Sequence, residues 1–558
     1  MAQVVAPAET ATGRRYAWPS AAVVFVAVFA FRFLSFTGFP NDHFVYVARA
    51  QQILLDAWPV RDFVDPGFPL MYVASAAGLI VFGHNLLGEA VLVFGGFAAA
   101  AALSYGLARA AAGSAWVAVG AVALQAFAHP RSLSYPKLPL HALAIAMCWA
   151  YLARPTPARR VALAALTAIA FLLRPDHGAV TGLMALGAVV WAERGPLALR
   201  TKAALGLAAA TMAFLLPWAI FVQRTTGLGA QVQSLLGFTS GKVELGRMGW
   251  PTFSIDQTEA WPGLTTEQNT ESFLYYTFLL LPIVGAVVLL RRRAAAAPMP
   301  DAARRLLVVI VLAVWVDATL LRNPLANRLA VVAVPHTILA AWLVPAAWWA
   351  LGGSPVLVRV AGRAAVAAGV GLLTLAVVQF GRTLERLDRI SPLELGALAE
   401  RATAVTHALR DIEASKGVPG GDALAPAPLI VYLRQCTEPD DRVLYLGYAP
   451  QTYFFAHRGF AGGQVVFEGT YYSSQEEQNL TLRRLRRERV PVVALPDENA
   501  GHFRRTFGAV AAYVDANYAR AGTIDLPGDR RGDVFLDRKR IPVGRYEPLG
   551  WPCFAPAP

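Results

Sequence analysis

Charged side chains are scarce in this chain: 16% of its 558 residues are Asp, Glu, Lys or Arg, against 56% hydrophobic residues and a mean hydropathy of +0.44. A soluble enzyme of this size is not so apolar, so the scarcity points to a multispanning membrane protein. Acids are fewer than bases, 37 against 50, which leaves a formal charge of +13. That excess does not imply nucleic acid, because the arginines cluster at the ends of apolar runs, as topology signals do. Cysteine is nearly absent. Cys148, Cys436 and Cys553 are too few for a disulfide scaffold or a zinc site. Cys436 and Cys553 both fall in the polar C-terminal part, where one bridge can form if that part lies in an oxidising compartment. No G-x-G-x-x-G follows the first candidate strand there, where GYAPQTYFFAHRGFAGG stands instead, so nucleotide binding is unsupported. There is no internal repeat, and no cofactor or metal is implied.

What is present is a series of apolar runs. After a cytoplasmic N-terminus (1–16) without a cleavable signal, the first run covers about 18–36, preceded by Arg14 and Arg15. Further runs lie near 88–108, 115–128, 139–153, 161–173, 178–192, 203–222, 273–290, 306–321, 328–350 and 357–380. Their connections alternate in charge. Basic loops at Arg109, Arg154 to Arg160, Arg194 to Lys202, Arg291 to Arg305 and Arg359 to Arg363 belong in the cytoplasm by the positive-inside rule. The apolar segment 70–82 is short for a span and reads as a juxtamembrane or re-entrant helix. The expectation is an all-α polytopic bundle of about eleven transmembrane helices over 17–380, with a first outer loop 37–87 and a long outer loop 223–272. A helix and a Gly/Pro/Ala linker follow at 381–428. Over 429–558, β-branched runs at 442–447, 464–468, 490–495 and 533–537 alternate with helical patterns, which predicts a soluble extracytoplasmic α/β domain with a mostly parallel sheet.

The stretch 39–72, FPNDHFVYVARAQQILLDAWPVRDFVDPGFPLMY, is too long and acid-rich for a simple connection, and it reads as a working loop at the membrane surface. Asp42, just past the outer end of the first span, is the candidate general base; as the acid before a helical pattern it equally suits an N-cap. His43 could bind an acceptor or phosphate, or serve Asp42 as a local hydrogen-bond partner. Asp62 and Asp65 could position substrate, hold a metal with Asp42, or solvate the loop, and without a defined spacing they do not single out a metal. Arg32, near the outer end of the first span, is either a pocket residue or a snorkelling anchor. Lys137 in SLSYPKLPLH, Arg174, Asp176 and His177 in RPDHG, and Arg322 and Arg328 all fall on outward-facing ends of spans. Cations there could neutralise a departing phosphate or anchor to lipid headgroups.

This order of features resembles the GT-C glycosyltransferases that use polyprenyl-phosphate sugars, the group containing protein O-mannosyltransferases and the lipid A aminoarabinose transferase. The resemblance covers about 15–380: a first span, a loop opening on an acid, and an aromatic, Pro-rich stretch ending in PGFPLMY. It implies Asp42 as base, a polyprenyl-phosphate-linked sugar donor, an extracytoplasmic acceptor (lipid, glycan or protein) and inversion at the anomeric carbon. Two positions depart from the family pattern: His43 stands where a second acid is common, and no Lys precedes the Pro pair at 66–69, so a phosphate contact must come from elsewhere, Lys137 being one source. The expected setting is a bacterial inner membrane, with the active site on the periplasmic side. A transporter or flippase for a lipid-linked or acidic solute is the second class, and a non-catalytic receptor the third.

Overall fold

The computed structural model describes residues 17–555 apart from 194, 245–248, 255–265, 294–300, 323, 412–427, 470 and 528–529. Most of the linker and part of the 223–272 loop therefore lie outside the described residues. Each of the apolar runs named above is helical. Among the described residues, five helices are long and apolar enough to cross a membrane: Leu87–Ala112, Leu197–Thr225, Glu267–Arg291, Ala330–Gly353 and Val356–Phe380. In Leu197–Thr225 and Val356–Phe380 only 11% of the most apolar 18-residue stretch is buried, and these helices leave Leu205, Met212, Phe214, Leu357 and Val360 exposed. Water does not tolerate a surface of that size; hydrocarbon does. The chain is thus built as a multi-pass membrane protein with a small C-terminal sheet region.

The described residues fall into two compact units. The first holds residues up to Ser35, then Val93–Leu215 and Gly246–Arg401. Its core uses small side chains, Ala98, Ala101, Ala108, Ala118 and Ala341 around Val28, Tyr105 and Val122, which lets helices approach closely where no hydrophobic drive separates them from lipid. Phe25, Phe29 and Phe33 stack at helical spacing along Ala17–Leu34. The RPDHG stretch is the corner between Pro157–Leu173 and Pro175–Ala192. Arg174 takes the extended conformation that a following proline imposes (φ −163°, ψ 119°), and Pro175 opens the next helix. Gly178 is required by close approach, since a Cβ there would lie 2.3 Å from Phe171 Cα. Deeper in this unit Asp317 and His336 form a buried pair at 3.2 Å.

The second unit gathers Phe36–Leu92, Leu216–Leu245 and Ala402–Pro558, so the first outer loop and the C-terminal sheet share one core. The sheet has the order β2-β1-β3-β5-β4, with β1 (Arg442–Tyr445), β2 (Gly459–Phe460), β3 (Val492–Pro496), β4 (Tyr518–Leu526) and β5 (Arg530–Asp537). β2, β1 and β3 are parallel, whereas β3, β5 and β4 are antiparallel, so the sheet is mixed where a mostly parallel one was expected. The difference lies in YARAGTIDL, which continues a helical pattern in sequence but pairs with β5 as β4, burying Tyr518, Ile524 and Leu526. The run 464–468 forms no strand. Cys436 and Cys553 are joined in a disulfide, which closes the helix Pro428–Cys436 onto the last strand, Trp551–Cys553.

The loop helix Asn41–Leu54 is fixed to this sheet by side chains that reach backbone groups. Gln51 Nε2 donates to the carbonyls of Tyr453 (3.3 Å) and Arg458 (3.1 Å), and Gln52 Nε2 donates to Phe460 O at 2.6 Å. Arg442 donates to Gln52 Oε1, while Phe44 packs on Phe454 and Phe455. Backbone partners satisfied in this way are costly to lose once buried.

Candidate functional site

Asp42 occupies the first turn of the helix Asn41–Leu54, where a carboxylate gains from the helix dipole. It is not the cap: the N-cap residue is Pro40, and no side chain caps this end. The carboxylate is half-buried, and its Oδ1 accepts a 2.6 Å hydrogen bond from the Tyr448 hydroxyl. Tyr448 follows β1 by three residues and so stands at the C-terminal ends of the parallel strands, where open α/β sheets place their ligand crevices. Around it lie Arg530, which donates to Tyr448 O (3.1 Å) and pairs with Glu498 (3.1 Å), and Asn499, which donates to Leu446 O at 2.7 Å. Partial burial pushes the Glu468 carboxyl up, with Arg530 opposing and the charge of Asp42 adding. Burial and the bond to Asp42 likewise raise the Tyr448 phenol, so it stays a donor.

The other candidates of the loop have partners of their own. His43 is fully buried, stacked on Phe39 with centroids 4.5 Å apart and hydrogen-bonded through Nε2 to Glu89 Oε1 at 2.6 Å. Asp62 Oδ2 accepts from Trp58 N and Arg61 Nε, both at 2.7 Å, which shapes the turn between them. Asp65 is buried; its Oδ1 accepts from Gly67 N (2.9 Å), Phe68 N (2.8 Å) and the Tyr72 hydroxyl (3.0 Å). Arg49 in turn donates to Tyr72 at 2.9 Å. Burial pushes the Asp65 carboxyl up against the pull of these donors. Among the described residues no group of three or more His, Cys, Asp or Glu is placed to hold a metal ion.

In the first unit, four of the basic-face candidates come together. Arg174 grips Asp176 through two nitrogens, at 3.1 and 2.9 Å, and His177 Nδ1 lies 2.8 Å from His141 Nε2. The charge of Lys137, at the start of the helix Lys137–Ala153, reaches Asp176 and both imidazoles. His141 was missed in the sequence, although Lys137 and His141 are four apart and so share a helix face. Arg328 stands elsewhere, donating to Thr319 O at 3.2 Å, and the side chain of Arg322 lies outside the described residues. Arg32 is 4% exposed, donates to Pro130 O at 2.8 Å and sits 4.1 Å over the Phe97 ring. With Val28, Gln125 and Leu138 it lines a small cavity, and its Nε and Nη1 have no hydrogen-bond partner there.

No family model and no curated protein matches the sequence. Among the solved structures that align with it are the crystal structure of ArnT from Cupriavidus metallidurans bound to undecaprenyl phosphate, at 15% identity and a TM-score of 0.46 over 95% of this chain and 99% of that one, and the apo state of the same protein, at 15% and 0.46 over 93% and 98%. A likeness at this distance assigns no role to any residue of this chain.

Proposed function

We propose that the chain is a GT-C-type membrane glycosyltransferase that moves a sugar from a polyprenyl-phosphate donor to an extracytoplasmic acceptor. The observation that carries this is Asp42: a half-buried carboxylate in the first turn of its helix, hydrogen-bonded to Tyr448 just past the C-terminal end of β1, in a loop that directly follows an apolar helix. Asp42 takes the proton of an acceptor hydroxyl as the acceptor oxygen attacks the anomeric carbon; the bond to phosphate breaks, polyprenyl phosphate leaves with the electron pair, and the anomeric centre inverts. Lys137 and Arg174, which the first unit brings together, are the cations offered to the donor phosphate, and a developing negative charge gains most from cations where water is excluded. The remaining details, eleven spans, a 223–272 lid, an active site facing the periplasm and a bacterial inner membrane, belong to this reading. The Cys436–Cys553 disulfide supports the placement of the C-terminal sheet outside the cytoplasm.

A carrier for a lipid-linked solute is the second reading. The buried Asp317–His336 pair favours it, since ionisable groups inside a bundle often mark ion paths.

Phosphate recognition is tested by titrating the purified full-length protein with polyprenyl phosphate and with the matching polyprenyl alcohol. The phosphate should bind at least about tenfold more tightly, and a Lys137→Ala/Arg174→Ala variant should lose about 10–100-fold for the phosphate alone, as expected for charge-assisted bonds. Equal affinity for phosphate and alcohol would remove the donor from the proposal.

A further inference from the structure

We propose that Tyr448, supplied by the C-terminal sheet, is the positioning residue of the Asp42 base, which makes that sheet part of the transferase site. The inference rests on the reading of Asp42 as base. Its ground is one contact between residues 406 positions apart, the 2.6 Å hydrogen bond from the Tyr448 hydroxyl to Asp42 Oδ1.

Both ends of that contact are held from behind. On the sheet side the chain continues from β1 through Leu446, whose N donates to Ala494 O (2.8 Å), and Gly447, whose carbonyl accepts from Phe467 N (3.1 Å). Gly447 is closely packed, since a Cβ there would meet Pro496 Cγ at 3.0 Å and Tyr445 Cε1 at 3.2 Å. Arg530 then ties down the Tyr448 carbonyl. On the loop side, Gln51 and Gln52 pin the Asp42 helix to the same sheet. The phenol and the carboxylate therefore meet as two groups on rigid supports, the condition under which a hydrogen bond orients rather than follows its partner.

The chemistry requires such a partner. A carboxylate that accepts a proton during attack must present one oxygen along the acceptor O–H direction, and free rotation about χ2 would blur that direction. With Oδ1 committed to the phenol, the plane of the carboxylate is set, and with it the direction along which a proton is received. A bond to a charged acceptor is short and strong, which fits the distance observed. Phenylalanine would keep the ring and remove only the bond.

The test uses the full-length protein in vesicles of total bacterial lipid extract, supplied with a panel of labelled polyprenyl-phosphate hexoses and pentoses, with release of polyprenyl phosphate as the readout. Tyr448→Phe should lower kcat by about 10–100-fold, the worth of a hydrogen bond to a charged group, and leave KM for the donor within about twofold. In Asp42→Asn the second change should add almost nothing, because the two residues act as one unit. Fluorotyrosines at 448, which retain the shape and grade the acidity of the phenol, should give graded kcat values at constant thermal stability. A folded Tyr448→Phe protein with wild-type kcat overturns the inference, as does a loss shared equally by kcat and thermal stability. If Asp42→Asn is inactive while Tyr448→Phe is normal, only the role of Tyr448 falls; if Asp42→Asn is fully active, the base assignment falls with it.

Discussion

Asp42→Asn is expected to lower sugar transfer by about 10²–10⁴-fold with the protein still folded. That is the range a positioned general base supplies, and it corresponds to about 3–5.5 kcal/mol of barrier. Asparagine retains the volume of the side chain and an oxygen that can still accept from Tyr448, so the local packing should survive the change. What is lost is the capacity to take a proton. Donor affinity should therefore change little, and the deficit should appear in kcat. Wild-type turnover by a folded variant would show that the acceptor's proton leaves by another route.

The second large effect is on stability. Asp317→Ala should destabilise the first unit by about 1–3 kcal/mol, because it takes a hydrogen-bond partner from a buried imidazole. His336 shows why. Its Nδ1 faces Val332 O at 2.7 Å, and its Nε2 faces both Phe278 O at 3.1 Å and the Asp317 carboxylate at 3.2 Å. The carboxylate is thus one of three oxygens that hold this ring in place. Replacing both residues by leucine should cost less than the two single alanine changes added together, since apolar packing can stand in for a buried pair but not for half of one. Thermal unfolding in detergent measures this; a midpoint for Asp317→Ala equal to wild type would contradict it.

The sequence made much of this legible where chemistry is local. Apolar runs declared their helices, and RPDHG declared a polar corner, because a proline and a tight glycine act within a few residues of themselves. Asp42 stood out as an acid beside a span. Partnerships across long separations were not legible: the hydroxyl that holds Asp42, the Glu89 that buries His43, and the backbone carbonyls that Gln51 and Gln52 reach all come from elsewhere in the chain. One of them carried a signal, since Tyr448 lies just beyond the first parallel strand, where sheets place their crevices. β4 was hidden for a different reason. YARAGTIDL follows a helix with no proline to end it, and pairing with β5 overrides the local pattern. Asp65 shows the converse: its carboxylate looks available in sequence, yet three donors from residues 67, 68 and 72 surround one oxygen.

The measurement that bears most directly on sugar transfer is made with the purified full-length protein sealed in vesicles and given a labelled polyprenyl-phosphate sugar on the outside or inside. The transferase account predicts one polyprenyl phosphate released for each sugar bonded to an acceptor, with the anomeric configuration inverted. Intact donor accumulating across the bilayer, with no polyprenyl phosphate released, would contradict it and establish a carrier.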